Sequence, residues 1–253
     1  MSGFLLDKGR YRARLATDAD DLRAAQRLRF LCFHEKRGLA GAPGALDADA
    51  QDEGASHMLI EDRRLGVLVG TYRFRLFESA AAMGGSYSAQ FYQLSVPADF
   101  TGRIVEMGRF CLHPEHHDPD IVRLAWGAMT RFVDENDVAL LCGCSSFTGT
   151  DAATHRDAFA MLKERYLAPR GWLPRVKAPK VFRFARALRL QKPDPRRAMA
   201  AMPPLLRSYL AMGGWVSDHA VVDEAMGTMH VFTGLEIAAI PPARKRLLRA
   251  VAG

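Results

Sequence analysis

The chain has 253 residues, 49% of them hydrophobic and 25% charged, with a formal net charge of +7. That is the composition of a soluble globular protein with a chain long enough to bury a real core, which excludes disordered and collagen-like classes. No apolar run approaches the ~20 residues of a spanning helix, and the opening Met1–Asp7 is too short in apolar content for a signal peptide, so a cytoplasmic protein is expected.

In chain order, Tyr11–Leu15 alternates as a strand. Thr17 then reads as the cap of a helix from Asp18 to about Phe33, with Asp20 in capping-box position. Residues 38–56 read as a mobile loop, Gly, Ala and Pro first and then the acids Asp47, Asp49, Asp52 and Glu53. Strands are predicted at His57–Glu61 and Leu65–Phe77 across a turn at Asp62-Arg63-Arg64. Ala80–Ser88 reads as loop and Gln90–Leu94 as a short helix. Next comes an apolar strand from Arg103 carrying Glu106 and Arg109, interrupted by Gly108. Ionised groups in such a strand point to a site, because a buried charge is costly unless paired or used.

Asp118 caps the following helix and Pro119 takes its first position. Ile121, Leu124, Ala125, Ala128, Met129, Phe132 and Val133 form one apolar stripe at helical spacing. Val138–Cys144 is a strand and Thr154–Arg165 a second amphipathic helix, and one or two basic strands lie between Trp172 and Leu188. Pro193-Asp194-Pro195 breaks the chain. A helix near Pro204–Met212 and extended segments near Trp215–Asp223 and Met229–Phe232 follow, and a basic amphipathic helix holds Arg244–Arg249. Strands at 57–77 with no helix between them make this an α/β fold with a mixed sheet. The expected division is a core over 1–192 and a C-terminal extension, 193–253, packed on it with a basic tail.

Charge is unevenly placed. Residues 1–162 hold 18 Lys and Arg against 22 Asp and Glu, residues 163–253 hold 17 against 6, and Arg170–Arg197 alone holds ten cations and one acid. Such a face suits an acidic protein or an anionic membrane, or is simply a solvated surface. Nucleic acid is not expected, since no reader motif accompanies the charge. Cys32 and Cys111 read as core residues, and Cys142-Gly143-Cys144 lacks metal-knuckle spacing, so no metal is expected.

The element order is similar to the GNAT acyltransferase superfamily. The ordered motifs Leu28-Arg29-Phe30-Leu31-Cys32-Phe33, Asp49-x-x-Asp52, His57, Gly70-Thr71-Tyr72-Arg73 and Glu106-x-Gly108-Arg109 resemble two groups, the acyl-homoserine-lactone synthases and the bacterial L-ornithine N-alpha-acyltransferases. The runs Pro203–Leu210 and Gly214–Asp218 resemble the second group, over roughly residues 10 to 240 in all. The resemblance implies a GNAT-like fold, and transfer of a 3-hydroxyacyl chain from an acyl carrier protein thioester to the alpha-amine of L-ornithine, giving lyso-ornithine lipid. No cofactor is implied beyond that donor. It also implies an acyl-pantetheine bound where such sheets splay.

Aminolysis of a thioester needs a neutral amine, a held carbonyl and a stabilised oxyanion. Glu106 is the candidate proton acceptor, through a water, with Arg109 beside it; the bland alternative is a Glu106–Arg109 ion pair serving the sheet. Residues three apart on a regular strand face opposite sides, so a bulge at Gly108 is expected to re-aim them. Backbone N–H groups of Met107, Gly108 and Phe110 are candidates for the thioester oxygen. Asp49 and Asp52 would hold the cationic groups of ornithine, and Arg73 or Arg29 its carboxylate. The bland readings are a solvated loop for the acids, favoured for Asp47 and Glu53, and an exposed helix position for Arg29. The turn His113–Asp120 has two prolines and three acids and no glycine, which disfavours a polyphosphate donor. The basic stretch 170–197 is the expected carrier dock, and the Arg244–Arg249 helix a possible peripheral membrane attachment. The alternatives are a homoserine-lactone synthase using S-adenosylmethionine as amine, and a non-catalytic binder of acyl carriers or membrane surfaces.

Overall fold

The structure is a computed structural model and describes residues 5–34 and 44–252. The chain divides into two compact units: one is formed by residues up to Leu76, Met107–Asp137 and residues from Pro242, and the other by Phe77–Glu106 and Val138–Pro241. Residues 193–253 are therefore shared between the two. Among the described residues, no helix is long and apolar enough to cross a membrane.

The first unit holds β1 (Leu5–Lys8), β2 (Tyr11–Leu15), β3 (Ser56–Asp62) and β4 (Val67–Phe77), successive antiparallel neighbours, and the later half of β6 (Arg103–Leu112). Helix α1 (Ala19–Phe33) packs near β3, and α3 (Pro119–Glu135) near β2. The cap of α1 is Asp18 rather than Thr17. The Asp18 carboxylate accepts from the Asp20 and Asp21 amides, and Asp21 reaches back to the Thr17 N–H at 2.9 Å, so the reciprocal arrangement is shifted by one residue. In α3 the predicted stripe is buried except for half-buried Phe132, and Asp118 and Pro119 start the helix as expected. The β2–β3–β4 side is filled by Met58, Leu59, Ile60, Tyr72 and Phe74, each at most 1% exposed. Gly70 admits no side chain, because a Cβ there would lie 2.9 Å from Leu112 Cδ2.

The second unit starts with the early half of β6, parallel to β7 (Val138–Thr148) over Arg103–Glu106. β7 then runs antiparallel to β12 (Thr228–Glu236) along nine paired positions, β12 pairs β11 (Ala220–Asp223) and β10 (Trp215–Val216), and β11 pairs β9 (Val181–Phe182). One parallel pairing among antiparallel ones makes the sheet mixed, as expected. Helices α4 (Arg156–Arg165), α6 (Pro195–Ala201) and α7 (Pro204–Ala211) bury Phe159, Leu162, Ala198 and Leu206 with Phe147 and Val231 of the sheet. Gly234 exists to admit Trp215, whose ring would lie 2.2 Å from a Cβ at that position.

Two local expectations fail. The segment 80–88 is a 3-10 helix (Ala80–Gly85), and the short helix is α2 (Ser88–Phe91), followed by β5 (Tyr92–Gln93) rather than continuing to Leu94. The Pro193–Pro195 breaker is also a start signal: Asp194 accepts from the Arg196 and Arg197 amides and Pro195 opens α6.

Candidate active site

In the first unit, three arginines and three aspartates form one closed network. Arg29 projects from α1 on the stripe shared with Ala25 and Leu28, and its side chain is 0% exposed. It donates Nε to Asp47 at 2.7 Å and Nη1 to Asp52 at 2.7 Å. Arg73, on β4, donates to Asp49 and, at 2.6 Å, to Asp52. Arg109, on β6, reaches Asp47 and Asp49, each at 3.1 Å, with its guanidinium 5.9 Å from the Phe33 ring centre. Gln26 donates to the second oxygen of Asp52 at 2.9 Å. Burial penalises the charge of Asp52 and Asp49, yet Arg29 and Arg73 outweigh it and hold both carboxyls below the usual range. Arg29 likewise is desolvated but ends raised, through Asp52 and Asp47.

The loop supplying these acids is ordered where it is described; residues 38–43 of the predicted mobile segment lie outside the described residues. Asp49 caps a single turn, Ala50–Asp52, and Asp52 accepts from the Asp49 N–H, a reciprocal box over four residues. Asp47, expected in solvent, is 7% exposed and accepts from two arginines; Arg29, whose bland reading was an exposed helix position, is fully enclosed. The acid side chains differ in access: Asp47 and Asp52 are 6% and 8% exposed, Asp49 27%. His57, on β3, lies with Nε2 3.8 Å from Asp52, and burial pulls its pKa down.

The expected irregularity in β6 falls one residue later than Gly108. Arg109 itself has φ +53°, in the left-handed region that only glycine enters freely. That turn breaks the strict alternation and accompanies the Arg109 contacts with Asp47 and Asp49. Gly108 has open space where a side chain would begin. Phe110 stacks on Tyr72 with ring centres 5.8 Å apart, and Met107 is buried.

In the second unit, Glu106 is 7% exposed and pairs in register with Cys142. Its two carboxylate oxygens accept from the Tyr87 N–H at 2.8 Å and the Ser88 N–H at 2.7 Å, at the start of α2. A carboxylate held by two amides is fixed in orientation while each oxygen keeps a further lone pair. Ser88 Oγ lies 3.4 Å from Cys144 Sγ, and the buried Cys142 thiol is pushed up by desolvation and then by Glu106. The Glu106 partners were not legible in the sequence, because they are main-chain groups. Asp47 and Gln26 were missed as well, whereas the burial of Arg29 had a signal: Arg29 falls on the apolar spacing of α1.

A mixed sheet in which β6 and β7 run parallel, flanked by helices, is the arrangement of the GNAT acyltransferase class. Residues 28–127 match the acetyltransferase (GNAT) domain family, and a CoA-dependent acyl-homoserine lactone synthase, BjaI, solved with SAM and isopentyl-CoA, superposes with a TM-score of 0.51 over 100% of this chain and 90% of that one at 14% identity, which shows the fold. L-ornithine N(alpha)-acyltransferases are more similar in sequence: that of Rhodobacter capsulatus is 33% identical over 239 residues, 91% of each chain, and that of Brucella abortus 33% over 246 residues, 92% of this chain and 86% of that one. The chain belongs to the L-ornithine N(alpha)-acyltransferase family.

Proposed function

We propose that this acyltransferase moves a 3-hydroxyacyl group from an acyl carrier protein thioester to the alpha-amine of L-ornithine, releasing the carrier thiol and giving lyso-ornithine lipid. The acceptor is supported by the names of the relatives, and the chemistry by the carboxylate of Glu106, held by the Tyr87 and Ser88 amides. Glu106 takes the ammonium proton through a water, freeing the nitrogen lone pair to attack the thioester carbon. Backbone N–H groups of Met107, Gly108 and Phe110 are the assigned donors to the oxyanion.

Asp49, the most accessible acid of the network, receives an ornithine ammonium, and Arg73 and Arg109, which already bind it, are the donors for the carboxylate. Arg29 and Asp52 are enclosed, so their assigned part is to hold Asp47, Asp49 and Arg73 in place. That departs from direct contact by Arg29 and Asp52 with ornithine.

A donor free of nucleotide is supported by the turn before α3. There the Asp118 carboxylate accepts from the Asp120 amide, and His113 and His116 amides already serve Val69 and His113 carbonyls, which leaves acids where a diphosphate would sit. Arg170, Arg175 and Arg183 are exposed and line one hollow with Gln93 and Asp218, in keeping with an acidic carrier. The test is thiol release from 3-hydroxyacyl carrier protein and from the matching acyl-CoA, with and without ornithine. Ornithine-dependent release from the carrier substrate supports the reading; release from acyl-CoA alone overturns the donor assignment, and release that ignores ornithine overturns the acceptor.

A further inference from the structure

Helix α8 (Pro242–Ala252) carries Arg244, Lys245, Arg246 and Arg249 and no acid. Its inner side is fixed on α3. Val251 fills the space over Gly127, where a Cβ would come within 2.6 Å of Cγ1, and Arg249 gives Nε and Nη2 to Asp134, both at 2.8 Å. At about 100° per residue, the opposite side then holds Ala243, Arg246, Leu247 and Ala250, all exposed; Arg244, also exposed, lies on the Val251 flank. Leu247 is 64% exposed.

Nearby acids are engaged. Asp134 serves Arg249, and Glu135 accepts from Arg131 Nε at 2.6 Å. Arg131 lies on the same stripe of α3 as Gly127 and Asp134 and also donates to the Leu5 carbonyl at 3.0 Å, so β1 borders this flank, with Leu5 44% exposed. One exposed leucine is ordinary. Leu247 sharing its side with Arg246, three residues after exposed Arg244 on a helix that carries no acid, gives the pattern of an interfacial helix.

We propose that the exposed side of α8 seats the protein on an anionic lipid bilayer. The cations meet the headgroup charge and Leu247 enters the headgroup boundary. This stands independently of which amine is acylated. An acidic protein would satisfy the cations but gives no role to Leu247, so the bilayer fits the observations better.

The test is flotation of the full chain with phosphatidylcholine vesicles, alone or containing phosphatidylglycerol, at low and high salt. Binding is expected only with phosphatidylglycerol, weakening in salt. Removing two cations with Arg244→Gln and Arg246→Gln should lower partitioning about 25-fold, at roughly fivefold each, and Leu247→Asn about tenfold, with the thermal unfolding of each variant unchanged. Equal binding to both vesicle types, undiminished binding by these variants, or capture of acidic carrier protein through α8 without vesicle binding would overturn the proposal.

Discussion

Asp52 accepts from Gln26, Arg29, Arg73 and the Asp49 amide while almost enclosed, so it is the residue whose loss strands the most buried charge. Asp52→Ala should cost about 3–5 kcal/mol of stability, as breaking one partner of a buried pair does, read by denaturant unfolding. Asp49→Ala, at the exposed side of the network, should cost far less stability and raise the KM for the amine. The pH dependence follows from the same contacts. Asp52 is held below its unfolded value, so its contribution is full above the ordinary aspartate range, near pH ~4, and is lost as pH falls through the folded value. His230 in the second unit is pulled down to about 4 by burial, so its neutral form stabilises fully above about pH 6.5 and the benefit fades toward pH 4. By linkage this amounts to up to about 3 kcal/mol. His230→Phe should flatten the stability curve in that window and leave the steeper aspartate loss below it. The ordered motifs, through the family resemblance, pointed to Asp49, Asp52, Arg73 and Arg29 as contacts for ornithine and to Arg109 as the neighbour of Glu106. They could not reveal that these arginines and aspartates neutralise one another, because that depends on where the loop before β3 returns to α1.

Among the elements, those carrying strong local signals were legible: α3 by its stripe and its Asp-Pro start, β2 by alternation, β7 by its apolar run. Asp194-Pro195 bears the same start signature as Asp118-Pro119, yet the flanking Pro193 made it read as a break, and α6 was missed. β1 was missed because only Leu6 of its four residues is buried, which leaves no alternation to see. The α3–α8 contact predicts a sensitive position at Gly127: an added methyl would lie 2.6 Å from Val251 Cγ1 and 3.2 Å from its carbonyl carbon. Gly127→Ala should therefore loosen α8 and cost about 1–3 kcal/mol. Faster amide exchange along 242–252, with α4 unchanged, would be the signature; unaltered exchange would mean that α8 shifts freely.

For the whole molecule, composition and element order led to the mixed α/β fold, and an ordered series of short motifs to the GNAT class. The division into compact units was not legible, because it cuts through β6 between Glu106 and Met107, inside one continuous apolar run. The basic character of residues 163–253 was legible by count; its exposed arginines up to residue 241 belong to the second unit, and those of α8 to the first. Acid–base chemistry at Glu106 is the hinge of the functional account. Glu106→Gln keeps one carbonyl oxygen for an amide but loses the basic carboxylate, so turnover should fall by about 10²–10⁴ with ornithine KM little changed. The most direct measurement is mass spectrometry of chloroform-extracted lipid from cells expressing the wild-type chain or Glu106→Gln at equal levels. The account predicts a phosphorus-free species of ornithine in amide linkage to a 3-hydroxyacyl chain in the wild type and its near absence in the variant. The same species at equal abundance in both, or none in the wild type when acceptor and donor are supplied, would contradict it.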